Sequence, residues 1–140
     1  MEHNLILQPL FALIMLTAIV WIFMYVRRLA FILNNRIDPQ RIATPEQLNS
    51  VLPAEINNSS NNLKNLFELP TLFYILCLIL FATQHVDMIF LYSAWAYVGL
   101  RAIHSLIHCT TNVVNLRFAA YFLSSLVLWF ITVRLAVSVL

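Results

Sequence analysis

The sequence predicts an all-α integral membrane protein, a bundle of four transmembrane helices. Three observations lead there. Of the 140 residues 61% are hydrophobic, and only eight lysines and arginines and six aspartates and glutamates carry formal charge. A soluble domain of this length needs a more polar surface to stay dispersed. Apolar runs recur that reach or approach the ~20 residues needed to cross a hydrocarbon core. Short polar stretches separate them, so that residues 1–140 form one domain with no chain to spare for a second.

The first span covers residues 5–28 and carries no charge until Arg27 and Arg28. It lacks a basic leader and a small-residue cleavage site, so the helix is expected to be retained. Residues 34–61 follow, with Pro39, Pro45 and Pro53 and many asparagines, and read as an extramembrane loop. The second span, residues 63–84, is interrupted near its start by Glu68 and Pro70. "HVD" turns the chain into a third span at residues 88–109, and "TTNVVN" leads to a fourth at residues 116–139. Arg27, Arg28, Arg36, Arg41 and Lys64 flank the first loop and Arg117 the third, whereas the second loop has no lysine or arginine. Loops one and three are therefore expected in the cytoplasm and both termini outside. Arg134, at the far end of the last span, is expected to snorkel to water as an anchor.

Some classes of function drop out. A net charge of +2, spread along the chain, gives no footprint for nucleic acid. Cys77 and Cys109 share no short-spacing motif and are expected to be packing residues.

The third span poses the chemical question, because it carries Arg101, His104 and His108 where lipid is expected. These stand at i, i+3 and i+7 and line one helical face. Asn61, Asn65 and Glu68, at i, i+4 and i+7, likewise share one face of the second helix, with Lys64 beside them. At 1.5 Å per residue, Glu68 lies about 10 Å and Arg101 about 12 Å inside the membrane. An unpaired charge there costs at least ~3 kcal/mol, so the two are expected to meet as a buried ion pair. Such a pair leaves the remaining donors on the same side unexplained. Together they describe a polar cavity for a small, hydrophilic, anionic ligand. His104 and His108 have metal-ligand spacing, but no carboxylate or thiolate on their face completes a set and Arg101 repels a cation; no metal is expected. Tyr121 lies one turn beyond Arg117 and shares its face.

"NLKNLFELP" at residues 62–70, followed by "RAIHSLIH" and then by Arg117 and Tyr121, resembles the MAPEG superfamily, membrane-associated proteins of eicosanoid and glutathione metabolism. The resemblance covers nearly the whole chain, and "NLFELP" looks most like the bacterial branch. It implies a homotrimer of four-helix bundles, in a bacterial inner membrane, with glutathione bound between subunits near the cytoplasmic face. It also implies that Asn65, Glu68, Arg101 and His104 contact glutathione, with Lys64 beside them and Arg27 or Arg28 supplying a further cation. Arg28 is carried forward. Arg117 is implied to stabilise the glutathione thiolate, with Tyr121 at the reactive centre, for attack on a lipophilic electrophile. The family's transferases carry arginines and a histidine where this chain has Asn61, Asn62 and Lys64, which thins the fork of arginine donors. The alternative reading is a non-catalytic or transport protein binding another small metabolite in the same pocket.

Overall fold

A computed structural model describes residues 2–140, and among them every regular element is helical. A 3₁₀ turn at His3–Ile6 leads into α1 (Leu7–Asn34). A second 3₁₀ turn at Pro39–Ile42 precedes α2 (Pro45–Val51), which Thr44 and Gln47 start with a reciprocal capping box. Then come α3 (Ala54–Leu66), α4 (Leu69–Thr83), α5 (Met88–Cys109) and α6 (Val114–Val139).

Three helical stretches among the described residues are long and apolar enough to cross a membrane: His3–Asn34, Ala54–Thr83 and Val114–Val139. The expected third span is α5, 22 residues long. Its length suffices for a crossing, but its stripe of Arg101, His104 and His108 lowers its hydropathy below that of the others.

The polar stretch expected as a loop to residue 61 is largely helical. Pro53 begins α3, and that helix runs seven residues ahead of Asn61. Asparagine and serine are weak helix formers in isolation. Here Ser59, Asn62 and Leu66, spaced i, i+3 and i+7, form a buried stripe that packs α3 on α1 and α5. Packing overrides propensity.

The second passage is two helices. Pro70 has no N–H, so the Leu66 carbonyl finds no partner four residues on. The chain leaves the α-helix at Phe67 and Glu68, tightens through Phe67 N–H to Lys64 O and Glu68 N–H to Asn65 O, and restarts at Leu69. At the other end of α4, Gln84 adopts a left-handed conformation (φ 57°), and the His85 N–H closes on the Leu80 carbonyl.

The most extensive helix contact is between α5 and α6. The core includes Leu13, Phe73, Leu80, Phe90, Tyr97, Leu128 and Ile131, with the Phe73 and Tyr97 rings stacked at 4.6 Å. Ala94, Ser105, Ala120 and Ser124 are buried as well, and such small residues let membrane helices approach closely. Outward faces carry large apolar side chains, such as Phe11, Ile19, Leu78, Phe122 and Phe130. Thr17, Thr71, Thr83 and Thr132 each donate to the carbonyl four residues back, so their hydroxyls are satisfied without water.

Arg134 departs from its expected role as a snorkelling anchor. It donates to Asp87 through Nη1 at 2.9 Å and Nη2 at 2.6 Å, and its guanidinium lies 4.2 Å from the Phe90 ring centroid. Asp87 also caps α5 by accepting from the Phe90 N–H at 2.9 Å. The turn carboxylate is therefore a nearer partner than water, and the pair ties α6 to the start of α5. The Arg134 hydrogen bonds hold the Asp87 carboxyl below its ordinary pKa, outweighing the upward push of burial.

Asp87→Asn keeps a capping oxygen and removes the ion pair. Because the Asp87 side chain is 46% exposed, the expected loss is about 0.5–1 kcal/mol. A depressed folded pKa means that this contribution is complete above the unfolded value of ~3.9 and is lost as pH falls through the lower folded value. Thermal melts from neutral pH down through the acid range should show wild type converging on the variant. Parallel curves would remove the ion pair from the account.

Candidate functional site

One cavity of about 460 Å³ opens where α3, α5 and the start of α6 meet. Asn61, Lys64 and Asn65 reach it from α3, because residues three and four apart share a helical face, and Glu68 reaches it from the break that follows. His104 and His108 face it from α5, and Val114, Arg117, Phe118 and Tyr121 from α6. Six of the expected site residues, Lys64, Asn65, Glu68, His104, Arg117 and Tyr121, thus share one wall system. Two do not.

Arg101 lies behind the cavity rather than on its lining. It is fully buried, and its Nη2 donates to the Asn65 carbonyl at 3.3 Å, at the helix break. Its guanidinium carbon is 5.8 Å from the Tyr121 ring centroid. The expected buried ion pair with Glu68 is absent: Glu68 is exposed, and the one ion pair among the described residues is Asp87–Arg134. The reason is the break itself. The Asn65 carbonyl, which also accepts from the Glu68 N–H, offers Arg101 a nearer acceptor at the negative end of the α3 dipole. The kink turns Glu68 outward.

Arg28 also falls elsewhere. It lines a second cavity, of about 310 Å³, between α1, α2 and α3, which shares Lys64 with the first.

The histidines are edge-on to each other, with ring centroids 5.6 Å apart, and His104 lies 6.1 Å from the Tyr121 ring. Arg101 Nε and Nη1, His104 Nδ1 and His108 Nδ1 are all buried without hydrogen-bond partners. Such groups cost about 1–3 kcal/mol each when left unpaired, so their clustering at one place marks a site arranged to meet polar groups. Among the described residues no three histidine, cysteine, aspartate or glutamate side chains group closely enough to hold a metal ion.

A second set of polar residues holds the walls and was not singled out from sequence. Asn112, in a left-handed conformation (φ 49°), accepts from Arg117 Nη1 at 2.5 Å and donates to Asn58 at 3.3 Å. Arg117 is thereby tethered through the α5–α6 turn to α3. Asn62 is fully buried; it accepts from the Ser105 hydroxyl at 3.3 Å and donates to Cys109 Sγ at 3.5 Å. An asparagine in the "TTNVVN" turn was the available signal for the first, since asparagine tolerates positive φ. For Asn62 the signal was hidden among like neighbours.

In charge, the cavity joins Lys64 and Arg117, with Arg101 behind, to a single carboxylate, Glu68. In shape, its polar floor meets the apolar side chains of Val114 and Phe118, which face outward. Cations therefore outnumber the carboxylate on its lining, and an apolar edge borders it on the outward side.

An all-helical membrane protein with a polar cavity at one end of the bundle is the class so defined. Residues 6–137 match the model of the MAPEG family, and the chain belongs to that family of membrane-bound proteins in glutathione and eicosanoid metabolism. No curated protein and no solved structure matches it.

Asn112→Gly keeps the left-handed backbone and deletes the tether; the expected loss is about 1 kcal/mol. Asn112→Ala adds a strain of about 1–2 kcal/mol for a side chain in that conformation. Thermal melts should therefore rank wild type, glycine, then alanine. A glycine variant as stable as wild type would show that the Arg117 contact contributes nothing.

Proposed function

We propose that the protein is a glutathione-dependent membrane transferase or peroxidase acting on lipophilic electrophiles. The observation that carries the reading is the meeting of Lys64, Asn65 and Glu68 with His104, Arg117 and Tyr121 around one cavity, in a member of this family. Glutathione has two carboxylates, an ammonium and a thiol. Lys64 suits a carboxylate, Asn65 and the unpartnered histidine nitrogens suit its amides, and Glu68 suits the ammonium. Arg117 is the one arginine on the cavity wall, and a fixed guanidinium favours the thiolate over the thiol. The thiol proton leaves to water. The sulfur then forms a bond to the electrophilic carbon, and the leaving group departs with the electron pair. With a hydroperoxide, the sulfur takes the distal hydroxyl as a sulfenic acid, and the alkoxide takes a proton from water and leaves as an alcohol. A second glutathione condenses with the sulfenic acid to give glutathione disulfide and water.

This reading keeps four crossings. At 1.5 Å per residue, α5 is about 33 Å long, and its polar stripe turns into the bundle and away from lipid. It also keeps a homotrimer in a bacterial inner membrane, the cavity end in the cytoplasm, with the outward apolar residues of neighbouring helices available to join subunits.

Arg117→Ala should lower conjugation of a reactive aryl halide on the order of a hundredfold, the usual scale for losing one donor to a developing anion. The ultraviolet absorbance of the bound thiolate should fall with it. Absence of saturable glutathione binding to wild type would overturn the proposal. The stoichiometry is read separately, by chemical cross-linking in native membranes: three-chain products are expected, and a ladder ending at two removes the trimer.

A further inference from the structure

The second cavity lies beside Arg28, which with Arg27 interrupts the hydrophobic run of α1. The two arginines are used differently. Arg27 donates to the Glu55 carbonyl at 3.4 Å and sits 5.5 Å from the Phe23 ring centroid. Arg28 faces the cavity, and its Nε is buried with no hydrogen-bond partner. Lys64 faces the same space from α3, and neither residue belongs to the ion pair among the described residues. Thr44 and Ser60 bring hydroxyls and Asn49 an amide; no aspartate or glutamate lines the cavity. The volume, about 310 Å³, exceeds what one small anion needs and leaves room for a substituent.

We infer that this cavity binds a phosphate group, that of a phospholipid headgroup at the membrane surface, with Arg28 and Lys64 as its cationic partners. Two cations, two hydroxyls and no carboxylate form an anion receptor, and an arginine fork fits phosphate oxygens. Position selects the lipid: the receptor sits where Arg27 and Arg28 bring charge into α1 beside the polar α2 and α3, the level of headgroups. The site adjoins the glutathione cavity across Lys64, which lines both, and Arg28 lines this one. It does not depend on the protein being a transferase.

The test uses the full chain purified in detergent with equal phosphatidylcholine and phosphatidic acid, with retained lipids counted by native mass spectrometry. Wild type should retain phosphatidic acid selectively, and Arg28→Gln should retain about fivefold less, the effect of one surface cation near a membrane. Ser60→Leu leaves both cations in place but fills the cavity, and should also lose retention. Arg36→Gln, an exposed arginine outside the cavity, should change nothing. Inorganic phosphate at matched ionic strength separates the sources. If it displaces the lipid at millimolar concentration, the site stands with soluble phosphate as its ligand; if it does not, the headgroup is the ligand. Equal losses in the Arg28 and Arg36 variants would reduce the effect to diffuse charge and overturn the site. So would an Arg28→Gln protein that keeps phosphatidic acid but loses glutathione binding, because that places Arg28 in the first cavity. Wild-type lipid selectivity without glutathione binding would leave this site intact and remove only the transferase reading.

Discussion

The buried guanidinium of Arg101 at the α3–α4 break is the contact on which the site is organised. Pro70 makes the break obligatory, because without its N–H the α3 ladder cannot continue. At the break the Asn65 carbonyl accepts from both the Glu68 N–H and Arg101, and Arg101 thus holds its buried guanidinium where water is scarce. In doing so it draws α5 against α3 at the level of Asn65 and orders the Tyr121 ring beside it. One side chain thus touches the break after α3 and the Tyr121 ring of α6 from its place on α5.

The remaining polar groups form two tiers. The inner tier, including Lys64, Glu68, His104 and Arg117, faces the cavity; the outer, Asn58, Asn62, Ser105 and Asn112, bonds helix to helix behind it. A low-dielectric setting makes every satisfied bond in the outer tier valuable and every unsatisfied atom in the inner tier costly. The protein tolerates that cost at one end. At the opposite end Asp87 and Arg134 close α5 and α6 with a bidentate pair that needs no ligand.

Hydropathy and helical spacing made much of this legible. The apolar runs marked α1, α4 and α6, and the i, i+3, i+7 spacing placed His104 and His108 on the face that meets α3. Depth arithmetic correctly brought the two polar stripes to one level, yet it misassigned the partner of Arg101. Equal depth does not fix azimuth, and the kink at Phe67 and Glu68 rotates the carboxylate away. Helix α3 was read as loop down to Asn61 because composition records propensity, while its buried face is supplied by other helices. Arg28 is tied to glutathione by family likeness alone, and within one chain it lines the second cavity. Its neighbours in space, Thr44 and Ser60, are not its neighbours in sequence.

The break between α3 and α4 also has a mechanical meaning. A helix resists bending through its continuous ladder, and here that ladder is interrupted for two residues, leaving a joint between a polar arm and an apolar stem. The stem, α4, is embedded among apolar side chains; the arm, α3, carries Lys64 on the partition between both cavities. The two chambers therefore share one flexible cation, and an anion that draws the Lys64 ammonium into one takes it from the other.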